Sequence, residues 1–214
     1  MELVAENINK KIRKNVILSD ISMTLQSGRV YGFTGRNGSG KTMLFRALSG
    51  LIKIDSGEIR LDGKVLSKDF AVLPSLGIVL ENAGLYPEFT GYENLLALAK
   101  LNNKVGPEEI KKAITRVGLD PADKRTFRKY SLGMKQRIVI AQAIMEHPDV
   151  IMLDEPTNGL DEHGVEEIRK LIQEEKERGA LILLASHNKE DIRLLADEVF
   201  HLESGRLVGR EETP

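Results

Sequence analysis

The chain lacks several features that mark whole classes of protein. None of its 214 residues is cysteine, which excludes disulfide bonds and thiolate metal sites and fits a reducing compartment. It has no uninterrupted apolar run of the roughly 20 residues that a membrane-spanning helix needs. Residues 1–6 contain no basic segment followed by an apolar one, so we expect no secretory signal peptide. These absences favour a cytoplasmic protein.

An excess of charge of one sign is also lacking. The 31 basic and 32 acidic residues give a formal net charge of −1, and both signs are interspersed along the chain. The sequence has no basic block of the kind that binds a nucleic-acid backbone or an anionic membrane surface. We therefore expect no nucleic-acid partner.

The chain does contain short apolar runs that alternate with amphipathic helical segments. The runs predict buried strands, and they lie at residues 30–34, 75–80, 150–153 and 180–185. This alternation predicts an α/β fold with a mainly parallel sheet covered on both faces. Residues 1–33 have the partial alternation of β-structure, and Asp62-Gly63 is a hairpin signal. We therefore expect an N-terminal antiparallel β subdomain as well.

Helical patterns are concentrated in about residues 84–148. Thr90 and Glu93 form a capping box, Pro107 opens a second helix, and Leu132–Glu146 predicts a third. We expect one domain over residues 1–214, with residues 84–148 forming a helical subdomain inserted in the α/β core.

The most specific motif is a glycine-rich loop, residues 35–42, with the sequence GRNGSGKT. It matches the pattern G-x-x-x-x-G-K-[ST] and lies between a predicted strand and a predicted helix, which disfavours an ordinary turn. Glycines allow successive backbone N–H groups to point at a phosphate, and the following helix dipole favours the anion. We expect Lys41 to reach the β- and γ-phosphates of a nucleotide and Thr42 to hold Mg²⁺. The expected nucleotide contacts are Asn37, Gly38, Ser39, Gly40, Lys41, Thr42 and Met43.

Two carboxylates follow the apolar run at residues 150–153. Asp154 and Glu155 would lie at the carboxyl ends of the parallel strands, where the glycine-rich loop also begins. We expect Asp154 to hold Mg²⁺ opposite Thr42, and Glu155 to orient and deprotonate an attacking water. Taken alone, the pair could instead be an acidic turn before Pro156 with no role in catalysis. The glycine-rich loop at residues 35–42, called the phosphate loop below, disfavours this alternative.

Further segments follow the loop in a fixed order: Glu81, Ser131–Arg137 (SLGMKQR), Asp154-Glu155, Gly159–Asp161 and His187. This order resembles the nucleotide-binding domain of ATP-binding cassette (ABC) transporters over nearly the whole chain. The resemblance implies a P-loop NTPase core that hydrolyses ATP with Mg²⁺. It also implies a head-to-tail dimer, which we expect to be a homodimer. ATP would lie between the phosphate loop of one copy and the signature segment, Ser131–Arg137, of the other.

The resemblance also implies roles for individual residues. Ser131 and Gly133 would contact the γ-phosphate held by the partner copy, although Ser131 also fits a plain helix N-cap. His187 would contact the γ-phosphate, although a lone histidine after a strand commonly has a structural role. Gly159–Asp161 would cross the dimer interface, and its alternative is a helix-entry turn capped by Asp161.

Several positions depart from the family's pattern. Leu132 and Met134 replace the first glycine and the glutamine of the signature, and we expect the bulk of Leu132 to alter the contact with the partner's ATP. Glu81 replaces a glutamine and, as a carboxylate, is expected to bind Mg²⁺. Ile12 replaces an aromatic residue that stacks on adenine, so Ile12 and Val16 would give only apolar contact with the base. The Glu81 and signature variants resemble those of drug- and peptide-antibiotic exporters.

The resemblance therefore implies the ATPase subunit of a multi-subunit ABC transporter, with export favoured over import. A separate membrane-spanning subunit would form the pathway, and this chain would bind it peripherally on the cytoplasmic face through residues 84–148. Two alternatives remain. One is a soluble ABC ATPase that acts as a clamp on a macromolecule, which would usually carry a coiled-coil insertion or a second cassette. The other is an unrelated P-loop kinase or GTPase, which the Ser131 and His187 segments disfavour.

Overall fold

The computed structural model describes residues 1–80 and 84–213, and these residues form two β-sheets and six α-helices. The strands are β1 (Glu2–Ile12), β2 (Asn15–Gln26), β3 (Val30–Thr34), β4 (Ser56–Leu61), β5 (Lys64–Val65), β6 (Leu76–Val79), β7 (Val150–Asp154), β8 (Leu181–Ala185), β9 (Glu198–Glu203) and β10 (Arg206–Glu212). The helices are α1 (Lys41–Ser49), α2 (Gly91–Asn102), α3 (Pro107–Arg116), α4 (Leu132–Ile144), α5 (Glu162–Glu177) and α6 (Lys189–Leu195). A 3₁₀ turn spans Phe127–Lys129.

The larger sheet has the strand order β10-β9-β3-β8-β7-β6. Its strands are parallel except for β10, which pairs antiparallel with β9. Every residue of β7 and β8 is buried, and burial on both faces explains why these runs are apolar without alternation. The predicted mainly parallel α/β core is confirmed.

The hairpin of β9 and β10 is absent from the elements that the sequence predicts. It turns at Ser204-Gly205, where both residues have positive φ. Two central residues with positive φ are typical of the tight turns that join antiparallel strands. The Ser-Gly dipeptide between two short apolar runs is the signal that would have predicted it.

The smaller sheet has the order β2-β1-β4-β5 and is antiparallel throughout. Its turn at Asp62-Gly63 has positive φ at both residues, as the hairpin signal predicts. Buried residues of this sheet, among them Leu3 and Ile59, share one hydrophobic cluster with Phe33 of β3 and Phe45 of α1. The two rings pack edge to face with centroids 5.3 Å apart. The small sheet thereby covers the helix that follows the phosphate loop.

Helices α2, α3 and α4 lie within residues 84–148. The capping box at Thr90 is present, with Glu93 N–H donating to Thr90 Oγ1 at 3.1 Å. Helix α4 begins at Leu132 as predicted and ends two residues early, at Ile144. These helices share a hydrophobic cluster with strands of the larger sheet, so a separate helical subdomain stays a prediction. Within residues 1–80 and 84–213, no helix is long and apolar enough to cross a bilayer.

Gly77 of β6 generates a stability prediction. A Cβ at Gly77 would lie 1.9 Å from the carbonyl oxygen of Ala143 and 2.8 Å from Cγ of Pro148. Because the neighbouring atom is backbone, Gly77→Ala should lower the free energy of unfolding by about 2 kcal/mol or more. Urea denaturation measures the change. A Cβ at Gly84 would meet no atom of the described residues within 4 Å, so Gly84→Ala is the control. Equal midpoints for the two variants would contradict the packing argument.

Candidate functional site

The phosphate loop leaves β3 and turns directly into α1. Gly35 has φ +152°, and a Cβ there would lie 2.2 Å from the carbonyl oxygen of Leu202 and 2.6 Å from Ser39 Oγ. Gly40, the N-cap of α1, is left-handed with φ +108°. Only glycine adopts such conformations without strain. The motif's glycines thus let the chain reverse tightly at the edge of the sheet.

Two groups in this loop fit a phosphate. Lys41 is buried, and its ammonium donates to the carbonyl oxygen of Gly35 at 2.7 Å, so it lies folded over the loop. Ser39 Oγ is buried and has no hydrogen-bond partner among the described residues. A buried hydroxyl without a partner costs free energy, and a phosphate oxygen is an acceptor that would remove this cost.

The start of α1 fits an anion as well. Among the described residues, no side chain caps the helix, and its first turn carries no acidic residue. Its free N–H groups and the positive end of its dipole are therefore not compensated by a carboxylate of that turn. Thr42 lies in this turn, and its hydroxyl donates a short hydrogen bond to Asp154 Oδ2.

This contact joins two of the predicted metal ligands, Thr42 and Asp154. Mg²⁺ is commonly held by one or two carboxylates together with waters and substrate phosphates, so one hydroxyl and one buried carboxylate fit that ion. The third predicted ligand, Glu81, lies outside the described residues.

Glu155 and His187 meet at the same edge of the sheet. Nδ1 of His187 lies 2.7 Å from Glu155 Oε2, and the backbone N–H of His187 donates to Glu155 Oε1 at 3.1 Å. The backbone N–H of Glu155 donates to the carbonyl oxygen of Ala185 at 2.8 Å. The predicted base and the predicted γ-phosphate contact are thus held together across two adjacent strand ends.

The residues predicted to contact the adenine of ATP lie at the tip of the β1–β2 hairpin. Ile12 and Val16 are exposed apolar side chains. The carbonyl oxygen of the next residue, Ile17, would lie 3.2 Å from a Cβ at Gly40. The hairpin therefore packs against the phosphate loop and presents an apolar edge beside it.

Ser131 and Gly133 stand apart from this cluster. Ser131 is the N-cap of α4, and its Oγ accepts from the N–H of Met134 at 3.2 Å. The two described cavities that border Gly35 and Arg36 include neither Ser131 nor Gly133 in their walls. Asp161 caps α5 in the same way, with Oδ1 accepting from Gly164. The local capping alternatives for Ser131 and Asp161 are therefore realised, and an N-cap role does not exclude a further contact across a dimer.

A buried ion pair behind the sheet edge escapes sequence reasoning. Asp191 of α6 is fully buried and accepts from Arg169 Nε at 2.8 Å and from Thr157 Oγ1 at 2.5 Å. Burial by itself lowers the pKa of Arg169, but the hydrogen bonds to Asp191 raise that pKa above its usual value. The group connects α5, α6 and the segment after Glu155. From the sequence alone, Arg169 and Asp191 would be predicted to lie on the exposed faces of amphipathic helices.

Comparison with known proteins gives one consistent result. The sequence profile of the family described as ABC transporter matches residues 18–158. The ABC transporter ATP-binding protein YybJ of Bacillus subtilis (strain 168), described as uncharacterized, is 46% identical over 206 residues, which are 96% of this chain and 94% of that protein. The bacitracin transport ATP-binding protein BcrA of Enterococcus faecalis is 38% identical over 205 residues, which cover 95% of this chain and 67% of BcrA. The dimeric structure of MJ0796, a bacterial ABC transporter cassette, superposes with a TM-score of 0.88 at 22% identity and covers 99% of both chains.

The ion pair at Asp191 yields a second stability prediction. Removing the carboxylate in Asp191→Ala leaves the Arg169 guanidinium buried without its main partner, so the free energy of unfolding should fall by about 3 kcal/mol. Glu190→Ala on the same helix is the control, because Glu190 pairs with Arg169 from an exposed position. Glu190→Ala should lower the free energy of unfolding by no more than about 1 kcal/mol. Denaturant unfolding compares the two, and equal losses would show that burial of the pair is unimportant.

Proposed function

The chain belongs to the ABC transporter family, and on that basis we propose that it is the ATP-hydrolysing subunit of a multi-subunit membrane exporter. The observation that carries the proposal is the meeting of two pairs at one sheet edge, Thr42 with Asp154 and Glu155 with His187. Relatives named as ABC transporter ATP-binding proteins favour transport over a macromolecular clamp. The name of BcrA, a bacitracin transport protein, supports a peptide antibiotic as the class of cargo.

We propose that the phosphate loop binds the triphosphate of ATP and that the Thr42–Asp154 pair holds Mg²⁺. Bound Mg²⁺ would neutralise charge on the β- and γ-phosphates. The ammonium of Lys41 would move from the carbonyl oxygen of Gly35 to a phosphate oxygen, which accepts more strongly because it is charged. Ser39 Oγ would gain the acceptor that it lacks among the described residues. Ile12 and Val16 would contact the base, and Glu81, outside the described residues, is proposed as a further metal ligand.

We propose Glu155 as the general base for hydrolysis. Its carboxylate accepts from the backbone N–H of His187 at 3.1 Å, which fixes its orientation at the end of β7. Glu155 would accept a proton from the attacking water while the water oxygen bonds to the γ-phosphorus and the bond to the β–γ bridging oxygen breaks. His187 would contact the γ-phosphate and keep the carboxylate in place.

A second copy of the chain would complete each site. Ser131 and Leu132 at the start of α4 are exposed, Gly133 is half-buried, and none of the three lines the described cavities at the phosphate loop. The solved structure of MJ0796 is a dimer, which supports a head-to-tail homodimer for this chain. Ser131 and Gly133 of one copy would then face the γ-phosphate bound by the other, with Gly159–Asp161 at the interface.

The membrane subunit would dock on residues 84–148 at the cytoplasmic face of the membrane. This region exposes two aromatic side chains, Tyr86 at 57% and Phe89 at 39% exposure, with ring centroids 5.1 Å apart. Leu101 at the end of α2 is also exposed. Aromatic residues are enriched at the cores of protein interfaces, so this surface supports docking of another subunit.

Replacing the proposed base tests the mechanism. Glu155→Gln keeps the size of the side chain, but the amide cannot accept the proton of the attacking water. The rate of ATP hydrolysis should therefore fall at least about 100-fold. ATP binding should persist, and a long-lived ATP-bound dimer should accumulate on size-exclusion chromatography. Glu177→Gln, at the exposed end of α5, is the control. A parental rate of phosphate release by Glu155→Gln would remove Glu155 from the role of base.

Replacing the loop lysine tests the binding site. Lys41→Ala deletes the ammonium that we expect on the β- and γ-phosphates, so ATP affinity should fall at least about 100-fold. Isothermal titration with Mg-ATP measures this. Lys53→Ala removes an exposed lysine that follows the same helix and should bind normally. Tight ATP binding by Lys41→Ala would contradict the assignment of the phosphate loop.

A further inference from the structure

The backbone of Glu155 is held in an unusual conformation. Its φ is +52°, in the left-handed region, which costs a residue with a side chain about 1–2 kcal/mol. Such a conformation persists only where surrounding contacts determine it. The N–H of Glu155 donates to Ala185, and its carbonyl oxygen accepts from the N–H of Asn158 at 3.2 Å. The first contact comes from the end of the neighbouring strand β8, and the second comes from the turn that follows Glu155.

A third contact comes from a different part of the chain. Nε2 of Gln136 donates to the carbonyl oxygen of Glu155 at 3.3 Å and to that of Pro156 at 3.2 Å. Both partners are acceptors, so the amide nitrogen rather than the amide oxygen must face them. Gln136 belongs to the second turn of α4, after the N-cap Ser131. One side chain thereby holds two successive carbonyl groups at the strained residue.

The first turn of α4 packs on the same segment. A Cβ at Gly159 would lie 2.6 Å from Leu132 Cδ2, so the Leu132 side chain covers this glycine directly. A Cβ at Gly133 would lie 3.0 Å from the carbonyl oxygen of Gly159. The start of α4 therefore touches the segment from Glu155 to Gly159 at both ends, by hydrogen bonds at one end and by apolar packing at the other.

We propose that Gln136 is a positioning residue for Glu155. Its amide fixes the peptide groups on the carboxyl side of Glu155, and this aims the carboxylate at His187 and at the reacting water. Because the same helix begins at Ser131, Gln136 also joins the start of α4 to the base of its own subunit. The inference rests on the proposed ATPase function and adds a residue that acts through Glu155.

The test removes the amide and keeps the length of the side chain. Gln136→Met preserves helix propensity and cannot donate to the two carbonyl groups. We expect kcat for ATP hydrolysis to fall about tenfold, and KM for ATP to change less than about twofold because the phosphate loop is untouched. Gln136→Lys restores a donor and should recover at least half of the lost rate. Gln136→Glu, which also cannot donate when ionised, replaces the Met variant if that protein does not fold.

A double substitution separates positioning from a general structural effect. If Gln136 acts through the Glu155 carboxylate, Gln136→Met should not slow hydrolysis further when Glu155→Gln is already present. A general weakening of the fold would lower the rate in both backgrounds. Gln142→Met, on the same helix beyond the contact with Glu155, is the matched control and should retain the parental kcat.

The possible results distinguish this inference from the function on which it rests. A parental chain that does not hydrolyse Mg-ATP would overturn the proposed function and, with it, the role of Gln136. A parental chain that hydrolyses ATP, with an unchanged kcat in Gln136→Met or an additive loss in the double variant, would overturn only the positioning role.

Discussion

The hydrogen bond between Thr42 and Asp154 joins segments that are 112 residues apart in sequence. It can form because β3 and β7 both pair with β8 and run parallel to it. In this register Phe33 and Asp154 are both paired with Ala185, so β3 and β7 end at the same level of the sheet. The phosphate loop and the carboxylates then emerge side by side. Without that register, Thr42 and Asp154 would be too far apart to form this hydrogen bond.

The edge that results is unfavourable for stability in several ways. Lys41 is buried, Ser39 Oγ lacks a partner among the described residues, and Glu155 has a left-handed backbone. Each of these features costs free energy, and such costs concentrate where a ligand is to be bound. The fold compensates behind the edge, where Arg169 and Asp191 tie α5 and α6 to Thr157. Ser39 Oγ is thus unpaired among the described residues and Glu155 is strained, whereas Arg169 and Asp191 behind them are paired and buried.

The sequence predicted the elements that have a local physical signature. Strands β7 and β8 were predictable because burial on both faces leaves an unbroken apolar run, and the phosphate loop because its backbone requires glycine at fixed positions. The roles of Gln136 and Asp191 were not predictable, because a polar residue in an amphipathic helix is expected to be solvent-exposed unless the segment that packs against it is known. Their roles depend on which loop packs against which helix, and this is decided by tertiary packing. The inserted helical subdomain stays a prediction, since the helices share their core with the sheet.

The first turns of the helices add an argument about where anions can bind. Helices α2, α3, α5 and α6 each carry an acidic residue in the first turn, whereas α1 and α4 carry none in the described structure. An acidic residue there compensates the helix dipole and repels an incoming anion. Helix α1 begins at the phosphate loop, so its uncompensated N-terminus lies where we propose that the triphosphate of ATP binds. Helix α4 begins at Ser131, which no described cavity at that loop includes. The proposed head-to-tail dimer would bring the phosphate held by a second copy to this N-terminus, where no acidic residue of the first turn would repel it.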